Sequence, residues 1–318
     1  MSLVRAFISK RREIGSRHAI KLALEFVCSA IFRKFRVIYI LLYSIPAQID
    51  YYFNPSALKQ SNIAPFVDND RIRKEFIYRG FEVEDFEINK ADFTKWLNEV
   101  NFTEEYSDAY GEAFTEKALE HYLSSKLLDL NESDVFVDVA AAASSPWYDL
   151  SEKRYQCKSF AVDLHLPRGK TDSRLIQCDA TNMPFADGSI SKIALHCAYE
   201  MFENEADTDF IKETNRVLSK KGKLVILPLY MDHFYYILSS PKANRSGIVY
   251  NKARRVWRDD KHRVRFSRHY SIEAFKERVV NYQDKLKLKI YYFTNEKEMG
   301  QSPGDVIYVK FAACFTKE

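Results

Sequence analysis

Apolar residues change their spacing several times along the chain, and the changes mark out elements. From Ala113 to Leu130 they recur every three or four positions with charged residues between, which predicts a helix with one buried face. Short runs rich in Val, Ile, Leu and Phe follow at Asp134–Val139, Ser159–Leu164, Leu175–Cys178, Ile190–Cys197 and Lys223–Leu229, each predicting a strand. Between the last two, Phe210, Ile211, Thr214, Val217 and Leu218 fall on one face of a helix over Asp209–Leu218. Strands that alternate with helices imply a parallel sheet with right-handed crossovers. At the end, Leu286–Phe293 and Asp305–Phe315 are β-rich runs with no helix between them, which predicts an antiparallel pair closing the sheet.

The chain before Asp92 has another character. Asn54–Gly80, with Pro55, Pro65 and scattered polar residues, reads as an irregular connector. Ahead of it, nine basic residues precede Pro46 against two acidic ones, interleaved with apolar runs. Leu22–Ile45 has the composition of a membrane span until Arg33, Lys34 and Arg36 divide it; Val37–Tyr43 then falls far short of the roughly 20 residues a span needs. The apolar run also comes too late for a signal peptide. Two readings stay open: a helix packed by its apolar face with its Lys and Arg solvated, or a basic amphipathic segment lying on an anionic membrane surface. The expected organisation is therefore a basic, partly helical extension and connector over 1–90, and an α/β domain over 91–318.

Composition and charge sharpen this picture. With 318 residues, 46% hydrophobic and 29% charged, the chain can bury a large core and carry an appendage. Its 48 Lys and Arg face 44 Asp and Glu, a net +4, so any basic character that matters is local. The five cysteines form no C-x-x-C pair and are odd in number, which argues against a disulfide framework or a zinc site and fits a reducing cytoplasm.

In a doubly wound sheet the ligand sits beyond the carboxyl ends of the strands. There the first strand delivers Asp138 and a loop of small residues, Ala140 to Ser145, where backbone can approach a ligand closely. The second ends at Asp163, placed to hold ribose hydroxyls. The third leads to Cys178-Asp179-Ala180, with Thr181 to Phe185 beyond it as an apolar wall for a flat base.

Asp179-Ala180-Thr181-Asn182-Met183-Pro184-Phe185 followed by Arg216-Val217-Leu218-Ser219-Lys220-Lys221-Gly222 resembles the D-A-x-x-(L/M)-P-F and R-V-L-K-P-G-G segments of class I S-adenosylmethionine-dependent methyltransferases, over about Phe114 to Phe315. The resemblance implies a Rossmann-like, mostly parallel seven-stranded sheet with an antiparallel last strand and helices on both faces. It implies S-adenosylmethionine as cofactor, with Asp138, Ala140, Ala142 and Ser144 beside its methionine part, Asp163 on the ribose, Asp179 and Ala180 at the adenine, and His196 between cofactor and acceptor. The family's first loop reads D-x-G-x-G-x-G, so Ala140, Ala142 and Ser144 stand where glycines would. If those positions need positive φ, alanine costs roughly 1 kcal/mol or more at each. A domain that has lost its cofactor and serves as a binding scaffold is the competing reading.

Methyl transfer to a hydroxyl needs a base, and His196 and His233, both after strands, are the candidates. The stretch after the fifth strand, about 230–270, reads as an insertion over the site. Between Pro241 and Tyr270 it carries ten basic residues against Asp259 and Asp260, with Tyr250, Trp257 and Phe266 interleaved. That favours an anionic acceptor, a phosphorylated or lipid-linked glycan, over nucleic acid, for which no recognition motif accompanies the patch. No (D/N)-P-P-(Y/F) segment follows the fourth strand, where His196-Cys197-Ala198-Tyr199 stands instead, so oxygen is the expected target. Peripheral contact with a membrane through the basic N-terminal segment is the remaining expectation.

Overall fold

The computed structural model describes residues 67–99, 110–142, 145–165, 172–258, 263–301 and 305–318, together with 34, 35, 37, 38, 42 and 44–53. Eleven strands are described: β1 (Val83–Phe86), β2 (Val135–Val139), β3 (Lys158–Asp163), β4 (Leu175–Gln177), β5 (Ile190–His196), β6 (Leu218–Leu227), β7 (Tyr236–Ser239), β8 (Arg254–Trp257), β9 (Ser267–His269), β10 (Leu286–Phe293) and β11 (Phe311–Lys317). The main helices are α1 (Asn69–Tyr78), α2 (Lys90–Glu99), α3 (Phe114–Leu128), α4 (Trp147–Tyr155), α5 (Ala206–Val217) and α6 (Ile272–Arg278).

One sheet has the order β1-β10-β11-β6-β5-β2-β3-β4. Strand β2 pairs in parallel with both β3 and β5, placing Asp138 opposite Ala161 and Ala194, and strand order reverses there. Strand β11 runs antiparallel to β6 and β10, as the terminal pair of apolar runs predicts. Both faces are covered, and alternation along the strands sorts the core. Val137, Ile193, Leu195, Leu224 and Ile226 meet Phe76, Phe210 and Phe275 of α1, α5 and α6 on one side. Phe136, Ala194, Val225 and Leu227 meet Phe93, Leu119, Leu123 and Trp147 of α2, α3 and α4 on the other.

Three features differ from the sequence expectation. The stretch read as a connector contains α1, capped by the Asp68 side chain accepting from the Arg71 N–H, with Ile72 and Phe76 buried one turn apart. Strand β1 adds to the edge through parallel pairing with β10, making eight strands instead of seven. Strand β6 starts at Leu218 because Leu218 pairs with Ile190 across a register shift, ahead of the apolar run. The insertion also has a sheet of its own, in the order β8-β7-β9.

Candidate active site

The loop after β2 turns through two alanines of positive φ. Ala140 has φ 53° and Ala142 φ 54°, both in the left-handed region that costs an alanine about 1–2 kcal/mol. Asp163 holds the turn: its Oδ2 accepts from the Ala142 N–H at 3.0 Å, and its Oδ1 accepts from the His165 N–H at 2.7 Å. Each oxygen keeps a second lone pair, so the carboxylate can still receive ligand hydroxyls. Next to it, Asp179 Oδ1 accepts from the Thr181 N–H and hydroxyl, both at 2.8 Å. Ala140, Asp163, Asp179, Ala180 and Phe202 line one cleft of about 420 Å³ at the carboxyl ends of β2, β3 and β4. That is the size of a small-molecule site at a switch point. The cleft, the left-handed loop and the unsaturated carboxylates fit a nucleoside-bearing cofactor, because the alanine methyls leave both the turn and the cleft in place. Of the candidate cofactor residues, Ser144 lies outside the described residues.

Asp138 does not face that cleft. It is buried beneath the loop, and its Oδ1 lies 3.0 Å from His196 Nδ1, whose Nε2 lies 2.8 Å from Ser124 Oγ on α3. Both ring nitrogens of His196 are thus occupied, and the ring packs edge-on to His121, which stacks on Trp147. The histidine expected as a base links β2, β5 and α3 through these two contacts and is not among the residues that line the cleft. His233 is exposed, with its backbone N–H donating to Asp232 Oδ1.

A buried polar cluster that no sequence motif marks lies on the α3 side of the switch point. Glu116, Glu120 and Ser124 are four residues apart on α3 and buried. Lys117 Nζ donates to both Glu120 oxygens at 2.8 and 2.9 Å. Beyond β5, the Cys197 thiol donates to Glu200 Oε1 at 3.6 Å, and the Tyr230 and Tyr308 hydroxyls lie 3.5 and 3.6 Å from its sulfur. Glu200 Oε2 and Glu116 Oε1 are buried without a hydrogen-bond partner among the described residues. Burial, reinforced by Glu120 and opposed by Lys117, pushes the Glu200 carboxyl up to about 7. Burial likewise raises the Cys197 thiol to about 12, so it stays a donor. Glu200 adjoins Met201 and Phe202, which line the cleft. The signal available in the sequence was the polar stripe itself, charged residues at helical spacing inside an otherwise apolar helix.

The insertion's basic residues are largely consumed by the fold. Arg245 is buried and donates to the carbonyls of Ser240, Pro241 and Ala243. Arg265 pairs with Glu203, and Arg268 with the buried Asp207 of α5, which also takes Arg278 at 2.7 Å and the Tyr270 hydroxyl at 2.7 Å. Arg254 and Arg255 remain exposed, lying over Phe234 and Tyr250. Among the described residues no cluster of His, Cys, Asp and Glu could hold a metal ion.

Residues 116–226 match the family model described as a methyltransferase domain. No curated protein matches the chain. Among solved structures, it is similar to geranyl diphosphate C-methyltransferase from Streptomyces coelicolor A3(2), crystallised with Mg2+, geranyl diphosphate and S-adenosyl-L-homocysteine, at 13% identity over 67% of this chain and 84% of that one, with a TM-score of 0.42. It is also similar to 1,6-didemethyltoxoflavin-N1-methyltransferase from Burkholderia thailandensis, bound to 1,6-didemethyltoxoflavin and S-adenosylhomocysteine, at 12% identity over 84% and 97% of the two chains, TM-score 0.39.

Proposed function

We infer that this chain, a class I S-adenosylmethionine-dependent methyltransferase by the domain at residues 116–226, methylates a hydroxyl of a small anionic or glycan-type acceptor. The observation that carries the reading is Glu200, a buried carboxyl pushed up to about 7, next in sequence to the cleft residues Met201 and Phe202, with one oxygen unpartnered among the described residues. Asp163 binds the ribose hydroxyls, Asp179 and Ala180 flank the adenine, and the Ala140–Ala142 turn lies along the methionine part. S-adenosylmethionine supplies an electrophilic methyl group on sulfur. Glu200 Oε2 takes the proton of the acceptor hydroxyl, while the Cys197 thiol fixes Oε1 and so aims the free oxygen. Lys117 stays charged against Glu120 and limits how many of the neighbouring carboxyls hold protons. His196 acts by positioning Asp138 under the loop. The internally bonded Arg245, Arg265 and Arg268 lend no support to an anionic acceptor, and the exposed Arg254 and Arg255 of β8 are not among the residues lining the cleft.

The test is transfer of radiolabelled methyl from S-adenosylmethionine to a panel of neutral sugars, uronic acids and sugar phosphates at pH 5–9. The expected result is label on a hydroxyl, with a rate rising through about pH 7 and falling about a hundredfold or more in Glu200→Gln. Label confined to amines or to nucleic acid overturns the reading.

A further inference from the structure

The N-terminal stretch presents a face that nothing in the described protein covers. Residues 34, 35, 37, 38, 42 and 44–53 are helical. Ile38, Leu42, Ile45, Ile49 and Tyr52 are all exposed, between 46% and 61%, and Phe53 reaches 80%. Their spacings of three and four gather them, at about 100° per residue, into a stripe roughly 100° wide. The opposite side is docked: Ser44 and Ala47 are buried, and the Asp50 carboxylate accepts from Trp257 Nε1 of β8 at 2.5 Å. The protein therefore holds this segment by its small and polar side and turns the large apolar side chains outward. A solvated helix packed on a core would do the reverse.

We propose that this stripe seats the protein on an anionic lipid surface. Charge selects that occupant over a second copy of the chain. Residues 1–46 carry nine basic side chains against two acidic ones, Lys34 at the start of the stripe is exposed, and Arg254 and Arg255 are exposed on the strand that holds Asp50. Pairing two such stripes would bring like charges together, whereas an anionic surface meets the charge and the apolar face at once. Arg33, Lys34 and Arg36 interrupt the apolar run in sequence and the segment's other side is docked on β8, so the proposed contact is one in the interface plane.

Co-sedimentation of the full chain with vesicles tests this, comparing pure phosphatidylcholine with phosphatidylglycerol-containing bilayers. The expected partition is about tenfold or more in favour of the anionic vesicles, weakened by salt. The paired substitution Leu42→Glu with Ile49→Glu is expected to reduce it about a hundredfold, with an unchanged melting temperature because both side chains are exposed. Equal partition onto both vesicle types, or binding indifferent to the paired substitution, overturns the proposal. So does a dimer in sedimentation velocity that the substitutions dissociate in a protein that binds no vesicle.

Discussion

Ala140 and Ala142 sit in the left-handed region with a Cβ that this backbone disfavours, and Asp163 is the group that keeps them there through the Ala142 N–H. Replacing each with glycine removes the steric penalty, so Ala140→Gly with Ala142→Gly is expected to raise stability, by up to about 1 kcal/mol per site once glycine's greater unfolded-state entropy is subtracted. Urea titration measures it, and a loss of stability would mean the methyls contribute packing that outweighs the strain. Glu200 gives a second expectation at this scale. Its carboxyl titrates about 7 in the folded chain against an ordinary 4.5, so the folded state binds the extra proton between those values and stability falls as pH rises through that window. The contribution amounts to about 3 kcal/mol at most. The difference between the wild-type and Glu200→Gln stability curves should carry that slope; parallel curves from pH 4 to 8 would contradict it. Asp138, Asp163 and Asp179 were placed at the strand ends from their position in the sequence, because strands announce where they stop. Which way each carboxylate turns was not readable there: Asp138 points under the loop to His196, a partner 58 residues away, and only the packed structure shows that pairing.

At the scale of elements, the insertion is bound to the domain by a buried charge network. Asp207 on α5 receives Arg268, Arg278 and Tyr270, so basic residues that look like a ligand-binding patch in sequence are the mortar of β9 and α6. Removing the anion leaves two arginines buried without it, and Asp207→Asn should destabilise the protein by about 3–5 kcal/mol. Hydrogen exchange in β7 and β9 should accelerate first, since they hang on that anchor; uniform acceleration across the central strands would place the network elsewhere in the hierarchy. Between α3 and β6 the strands and the helices α3 and α5 were legible from apolar spacing, whereas α4 (Trp147–Tyr155), with only Trp147, Tyr148 and Ser151 buried, was not. Strand β1 and helix α1 were not: β1 is four residues long with a half-exposed pattern, and α1 buries only Ile72 and Phe76. Short elements at a sheet edge depend on tertiary pairing, here the parallel register of β1 on β10, that local spacing does not encode.

At the scale of the whole molecule, the cleft at the carboxyl ends of β2, β3 and β4 is lined by Met201 and Phe202, and the buried carboxyl of Glu200 precedes them in the chain. The cleft was readable from motifs, while the buried polar cluster is assembled from α3, the turn after β5, Tyr230 and Tyr308, which lie far apart in sequence. The outward stripe at 38–53 would hold this assembly against a bilayer. Methyl transfer depends on the alanine-bearing loop admitting the cofactor. Calorimetric titration of the full chain with S-adenosylhomocysteine examines that directly. One site per chain is expected, weakened about tenfold or more by Asp163→Ala, because a hydrogen-bonded carboxylate is lost. Absence of heat at millimolar ligand, or binding that Asp163→Ala leaves unchanged, would contradict it.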